Sequence, residues 1–287
     1  MSFPPGFDAS DAVAQIPFVD AVYAAYERDK SVLKPAVALP LGYDLVAWIQ
    51  MSDFWLSRVP QFYGIIAQKT ADPGEHLVAF RGTDSALEWF NNAFAWLVEF
   101  KHAPNAGRTH MGFTTIYDSI RVEPAIPGVD ALPGASFAEM VAAVVAQSSA
   151  QDSVVPTSMR LVGHSLGAAL LTLYVVENAV KKLLPSPKVY TFASPRVGDP
   201  DFAAAYNGLH LPSWRIDNAP DIVPDMPPDL WYTHVDTTVG VDSSPYVRNT
   251  PACSHPLSAY RAALLSEPLP GGDCATVSDD AALALMS

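Results

Sequence analysis

Cations are scarce in this chain. Lysine and arginine together number 17 of 287 residues, against 30 aspartates and glutamates, for a net charge of −13 at pH 7. A nucleic-acid surface neutralises phosphates with clustered Lys and Arg, so nucleic acid is excluded as a partner. Charged residues of both signs make up only 16% and hydrophobic ones 49%. That composition excludes disorder, collagen-like structure and coiled coil as the main state. Long apolar runs are missing too. The most apolar stretch, Leu166 to Val176, is far short of the ~20 residues that a bilayer span demands. No basic residue precedes Arg28, and Pro4 and Pro5 interrupt the start. This is not the basic-then-apolar build of a signal peptide. Either the protein is not exported by that route or a leader is missing from this chain, so the compartment stays open. Two cysteines cannot staple a scaffold of this length. Cys253 and Cys274 are close enough in sequence for one bridge, which would tie the tail to the loop before His255. The alternative is two unrelated, buried thiols.

Proline, by contrast, is plentiful, with 26 residues. It clusters at 124–133, 185–200 and 220–228, where it bounds elements. Residues 11–29 carry Val13, Ile16, Val19, Val22, Tyr23 and Tyr26 at helical spacing, which predicts an amphipathic helix. Short β-type runs follow at Tyr63–Ala67, Leu77–Phe80, Arg160–Val162, Val189–Phe192, Trp214–Ile216 and Tyr232–Val239. Helical patterns fall between them at 85–100, 111–121, 137–149 and 166–182. Strands alternating with helices predict an α/β sheet covered on both faces. Nothing resembles a linker, so residues 1–287 read as one domain with a loosely packed tail over about 267–287.

The strongest chemical signal is Gly163-His164-Ser165-Leu166-Gly167, set between a strand and an apolar helix. A serine on such a tight turn projects its hydroxyl from the sheet edge, and the glycines let helix and strand approach. The helix N-terminus offers amide donors where an oxyanion develops. A serine nucleophile needs a base, and the base needs a carboxylate to orient it. Downstream histidines are His210, His234 and His255. His255 lies in a loop after the last β-type run and is the favoured base, with His234 as the alternative. Asp217, Asp221, Asp225 and Asp229 recur every four residues, but Pro220, Pro224, Pro227 and Pro228 forbid a helix that would align them. A calcium loop is a weaker reading, because the spacing does not match an EF-hand. Asp221 is the favoured acid and Asp217 the alternative. The run Leu77–Phe80 followed by Arg81-Gly82-Thr83 reads as the second half of an oxyanion hole, with an ordinary strand-ending turn as the alternative. Its donors are the amides of Thr83 and Leu166, with the Thr83 hydroxyl as a third.

Six ordered motifs then carry a resemblance. They are Phe80-Arg81-Gly82-Thr83, His110-Met111-Gly112-Phe113 leading to Tyr117, the Ser165 pentapeptide, and Thr191 through Gly198 with Pro195, Arg196 and Val197. Asp221-Ile222-Val223-Pro224 and Ser254-His255 complete the set. Over residues 15–262 the chain resembles the class-three lipase family, the filamentous-fungal-type triacylglycerol lipases and their feruloyl-esterase relatives. The resemblance implies an α/β-hydrolase fold, a mostly parallel sheet with helices on both faces and a helical lid. It implies catalysis by Ser165, Asp221 and His255, an oxyanion hole at Thr83 and Leu166, and no cofactor or metal. His110, Arg196 and Gly198 belong to motifs of structural appearance.

Residues 85–100 are crowded with Trp89, Phe90, Phe94, Trp96 and Leu97. The plain reading is a buried core helix. The sharper one is a lid that offers its apolar face to a lipid interface, which the resemblance favours. An apolar lid points to acylglycerols or other long-chain esters. Alternatives are a feruloyl-type or short-chain esterase, an acyltransferase sharing the triad, and a non-catalytic lipid-binding descendant. The expected partner is a lipid or ester substrate at an interface. The sequence says nothing of oligomeric state.

Overall fold

A computed structural model describes residues 3–52, 59–83, 96–129 and 132–276. The chain opens with helix α1 (Ala9–Arg28), whose N-cap Asp8 accepts from the amides of Ser10 and Asp11. Such a carboxylate satisfies donors that have no partner in the first turn. Three long strands follow: β1 (Tyr43–Ser52), β2 (Pro60–Lys69) and β3 (Asp72–Phe80). Then come β4 (Leu97–Glu99), β5 (Arg108–His110), α2 (Met111–Ser119), β6 (Arg121–Pro124) and α3 (Phe137–Gln151). The second half alternates as the sequence pattern requires: β7 (Ser158–His164), α4 (Leu166–Lys181), β8 (Lys188–Phe192), α5 (Pro200–Asn207) and β9 (Ser213–Asn218). Strand β10 (Thr237–Val241) and helices α6 (Pro251–Ser254) and α7 (Leu257–Leu265) complete the described elements.

The main sheet runs β10-β9-β8-β7-β3-β2-β1-β6. Strands β3, β7, β8, β9 and β10 are parallel neighbours, while β2, β1 and β6 extend the sheet by antiparallel pairing. Both faces are covered, and β3 shows why. Leu77 and Ala79 pack with Ile16 and Val19 of α1 and Tyr260 of α7. Val78 and Phe80 point the other way, into a core with Phe137 of α3 and Leu170 of α4. A strand buried on both sides loses the polar–apolar alternation of a half-exposed one. Helix α4 is buried continuously from Leu166 to Asn178, so it lies at the centre of its layer. Its buried Glu177 is held by Tyr117 Oη at 2.5 Å and Lys181 Nζ at 2.8 Å. No described helix is long and apolar enough to cross a membrane.

Several sequence expectations need correction. The run Tyr232–Val239 is strand only from Thr237 onward. Its first half turns away because His234 Nε2 bonds Pro224 O at 2.8 Å and Asp236 adopts a φ of 74°. Residues 84–95 lie outside the described residues, and Trp89, Phe90 and Phe94 with them. The far end of the expected 85–100 helix is instead a strand, since Leu97–Glu99 pairs with Arg108–His110. Trp96, just before it, is 67% exposed. Strands β1 and β6 and helices α5 and α7 were not anticipated from the sequence. Residues 267–276 of the expected tail are mostly exposed yet tethered. Cys274 is bridged to Cys253, and the amide of Arg248 donates to Cys274 O at 3.0 Å.

Candidate active site

The parallel strands β3, β7 and β9 deliver the candidate residues to their carboxyl ends. Strand β7 ends at His164, and Ser165 follows with φ 55° and ψ −123°. A non-glycine residue in that region is strained and is kept there only by its surroundings. Here the amide of Ser165 donates to Phe192 O of β8 at 2.9 Å, and its carbonyl accepts from Ala168 at 3.0 Å. The flanking glycines are steric requirements. A Cβ on Gly167 would stand 2.5 Å from Arg81 O, and one on Gly163 would stand 2.9 Å from the amide nitrogen of Ala168. Gly82 plays the same part from the facing loop, where a Cβ would come within 2.7 Å of Ser165 Cβ. The exit of β3 is thereby laid against the serine, with Thr83 next in line.

The acid and base come from the other side. Asp221 follows β9, and His255 sits at the junction of α6 and α7. His255 Nδ1 donates to Asp221 Oδ2 at 2.8 Å. Tyr260 Oη donates to the same oxygen at 2.6 Å, and the amide of Val223 donates to Oδ1 at 3.0 Å. Burial alone would raise the Asp221 pKa, but these partners, His255 foremost, outweigh it and hold the carboxyl below its ordinary value. With Nδ1 bearing the proton, His255 Nε2 carries the lone pair. Neither that atom nor Ser165 Oγ has a hydrogen-bond partner among the described residues. In unliganded sites such bonds often form only once substrate is bound.

His164 links the parts. Its Nε2 donates to the carbonyl of His255 at 2.9 Å, because a carbonyl can only accept. Its Nδ1 therefore accepts, from Tyr23 Oη at 2.7 Å. Tyr23 Oη in turn accepts from the amide of Gly82 at 2.7 Å. One hydroxyl on α1 thus ties the β3 exit loop to the serine turn and, through His164, to the histidine loop. Burial and the neighbouring His255 push His164 down to about 3, so it stays neutral in this role. Beneath the loop, Arg81 is sandwiched between Tyr26 and Tyr63, at 3.4 and 3.8 Å from the ring centroids, and Nε donates to Phe62 O. Asn218 anchors the histidine loop from β9, its Nδ2 donating to Ser254 O at 2.8 Å. Tyr23, His164, Asn218 and Tyr260 were missed as functional residues. The sequence signal available was a tyrosine in the apolar stripe of α1 and a histidine inside the serine motif, and neither names its partner.

The alternative residues are committed elsewhere. Asp217 is paired with Arg215, and burial raises its pKa to about 6. His234 holds Pro224 O and burial brings it to about 3. His210 stands exposed at a turn. The Asp225 side chain is 81% exposed, and among the described residues no three His, Cys, Asp or Glu groups gather as a metal would require. His110 caps α2 by accepting from Gly112 and Phe113, and Arg196 holds the carbonyl of Pro227.

Comparison with known proteins gives one family. A family model described as lipase (class 3) matches residues 77–231. Rice (Oryza sativa subsp. indica) phospholipase A1-II 1 is 30% identical over 243 residues, covering 78% of this chain and 59% of that protein. The chain thus spans less than two thirds of that relative's length. Among solved structures, the Rhizomucor miehei lipase–propeptide complex superposes with a TM-score of 0.59 at 19% identity, over 85% of this chain and 72% of that one. A triacylglycerol lipase whose catalytic centre is formed by a serine-protease triad matches at 25% identity and TM-score 0.53, over 70% and 69%.

Proposed function

Because the chain belongs to the class 3 lipase family, we propose that it is a serine carboxylic-ester hydrolase, one catalytic domain that cleaves acylglycerols or other medium- and long-chain esters through an acyl-enzyme on Ser165. The observation that carries this reading is the 2.8 Å bond from His255 to Asp221, next to a serine held at positive φ on the carboxyl edge of the parallel strands. In the proposed reaction His255 Nε2 removes the proton as Ser165 Oγ attacks the ester carbonyl. Asp221 keeps the imidazole in the useful tautomer and stabilises the imidazolium. The amides of Thr83 and Leu166 bind the oxyanion. The Leu166 amide belongs to the first turn of α4 and has no intrahelical acceptor. Each such donor contributes about 100- to 1,000-fold to the rate. The intermediate then collapses, and His255 gives its proton to the departing alcohol. Water repeats the sequence on the acyl-enzyme and releases the acid.

A chain-length series of p-nitrophenyl esters, run beside emulsified triglyceride, tests the substrate class. Medium- and long-chain esters and the emulsion should be cleaved by the protein and not by Ser165→Ala. Activity confined to the shortest esters would refute the lipase reading.

A further inference from the structure

Arg81 is a fully buried cation, 0% exposed. Its partners among the described residues are two carbonyls and two rings, none of them an anion. Nε donates to Phe62 O at 2.9 Å, Nη1 donates to Gly82 O at 2.7 Å, and Tyr26 and Tyr63 flank the guanidinium. Nη2 has no partner among the described residues. A charge taken out of water is costly unless it is paired, and charged side chains are almost never fully buried without such a pair. Two carbonyls need only neutral N–H donors, so these hydrogen bonds do not account for the charge.

What the charge touches supplies a reason for it. The Gly82 carbonyl and the Thr83 amide belong to one planar trans peptide unit, with the oxygen and the N–H on opposite sides. Arg81 therefore holds the oxygen end of the unit whose N–H end is an oxyanion donor. A hydrogen bond from an ionised donor is about twice as strong as a neutral one. A cation at the oxygen draws electron density toward it, and hydrogen bonds in a chain polarise one another. The Thr83 N–H is left more positive. The other side of Gly82 is fixed as well, because its amide donates to Tyr23 Oη at 2.7 Å. The plane of the 82–83 peptide is thus set before substrate arrives, and its dipole needs no reorganisation at the moment of reaction. Water would screen such an effect, and Arg81 is shut off from water.

We propose that Arg81 is a positioning residue of the oxyanion hole: its charge, acting through the Gly82–Thr83 peptide, strengthens the Thr83 amide toward the developing oxyanion. Arg81 touches no reacting atom, and no bond to it forms or breaks. The inference rests on the ester-hydrolase reading above and gives one of its two donors a source of strength.

The test removes the charge and keeps the shape. Citrulline, incorporated at position 81 in place of the arginine, is its uncharged urea isostere. It retains N–H donors for Phe62 O and Gly82 O, and its oxygen takes the place of the unpartnered Nη2. With p-nitrophenyl butyrate below its solubility limit, kcat should fall about tenfold, equivalent to about 1.4 kcal/mol, with KM within about twofold. That is less than the about 100- to 1,000-fold lost with a whole donor. Ki for a trifluoromethyl ketone, which binds the serine as a tetrahedral oxyanion, should rise by the same factor. The urea midpoint should hold or rise, since a buried charge has gone. A kcat within about twofold of the native value overturns the proposal, and so does a fall in kcat with Ki unchanged. A citrulline protein that fails to fold overturns it too, because the charge would then serve stability. With Ser165 of the native protein labelled by a fluorophosphonate, these results defeat the role of Arg81 alone. A native protein that cleaves no ester and leaves Ser165 unlabelled defeats the ester-hydrolase reading and this inference with it.

Discussion

Replacing Tyr23 with Phe removes one oxygen from the point where α1, the β3 exit loop and the serine turn meet. That oxygen makes two bonds of 2.7 Å, one to the Gly82 amide and one to His164 Nδ1. Phe keeps the ring, so the loss is electrostatic and not one of packing. Each orphaned buried group costs about 1–3 kcal/mol, so the pair costs about 2–6 kcal/mol. That is a large share of the about 5–15 kcal/mol that holds a typical domain folded. The same change frees Gly82, which sets the position of Thr83. Loss of one oxyanion donor lowers kcat about 100- to 1,000-fold, and a loosened donor should fall short of that, near tenfold to 100-fold. KM for a small monomeric ester should hardly move, because the amide acts on the transition state. Urea denaturation followed by tryptophan fluorescence gives the stability, and p-nitrophenyl butyrate below its solubility limit gives kcat. A wild-type urea midpoint with wild-type kcat would refute the reasoning. A lowered midpoint with unchanged kcat would separate Tyr23 from the oxyanion loop.

Three further outcomes are expected. Asp221→Asn should lower kcat by about 10⁴ by favouring the wrong imidazole tautomer, whereas Asp217→Asn should act mainly on stability; the reverse order at equal stability would reassign the acid. Replacing Cys253 and Cys274 with serine opens a loop of 21 residues and should cost about 3 kcal/mol of stability in urea, and no change in midpoint would show that the bridge contributes nothing. Stability should also fall between pH 6 and pH 5. Burial pulls His76 and His110 down to about 4 and His164 and His234 to about 3, so the unfolded chain takes up these four protons first. Asp217 and Asp236, raised by burial to about 6, bind protons earlier in the fold and offset two of them. The net of two protons gives a slope of about 3 kcal/mol per pH unit, and a urea midpoint flat or rising from pH 6 to pH 5 would contradict it.

How much of this was legible in the sequence depended on whether an interaction is local. The serine turn was legible because strand, glycines and helix are contiguous, and the same contiguity predicted α4 from residue 166. Asp221 and His255 were legible by order along the chain and by elimination, and the structure brings them together. Strand β1 was missed because Val46, Ala47, Ile49 and Met51 are buried on both faces, which erases the alternation that marks a strand. The Tyr23–His164–His255 link spans 141 and 91 positions, and no local pattern encodes a contact of that range. Val98 and its neighbours were read as helix because aromatic crowding has no period. Pairing with Thr109 across a short hairpin decided the matter.

The central claim is that Ser165 is the nucleophile and that its reactivity comes from His255 held by Asp221. Mass spectrometry after treatment with a fluorophosphonate tests it most directly, using the intact protein, Ser165→Ala and His255→Ala. The account predicts one adduct per chain on the peptide that contains Ser165, none on Ser165→Ala, and labelling slowed about 1,000-fold or more in His255→Ala. An adduct on another residue, or labelling of His255→Ala at the native rate, would contradict it.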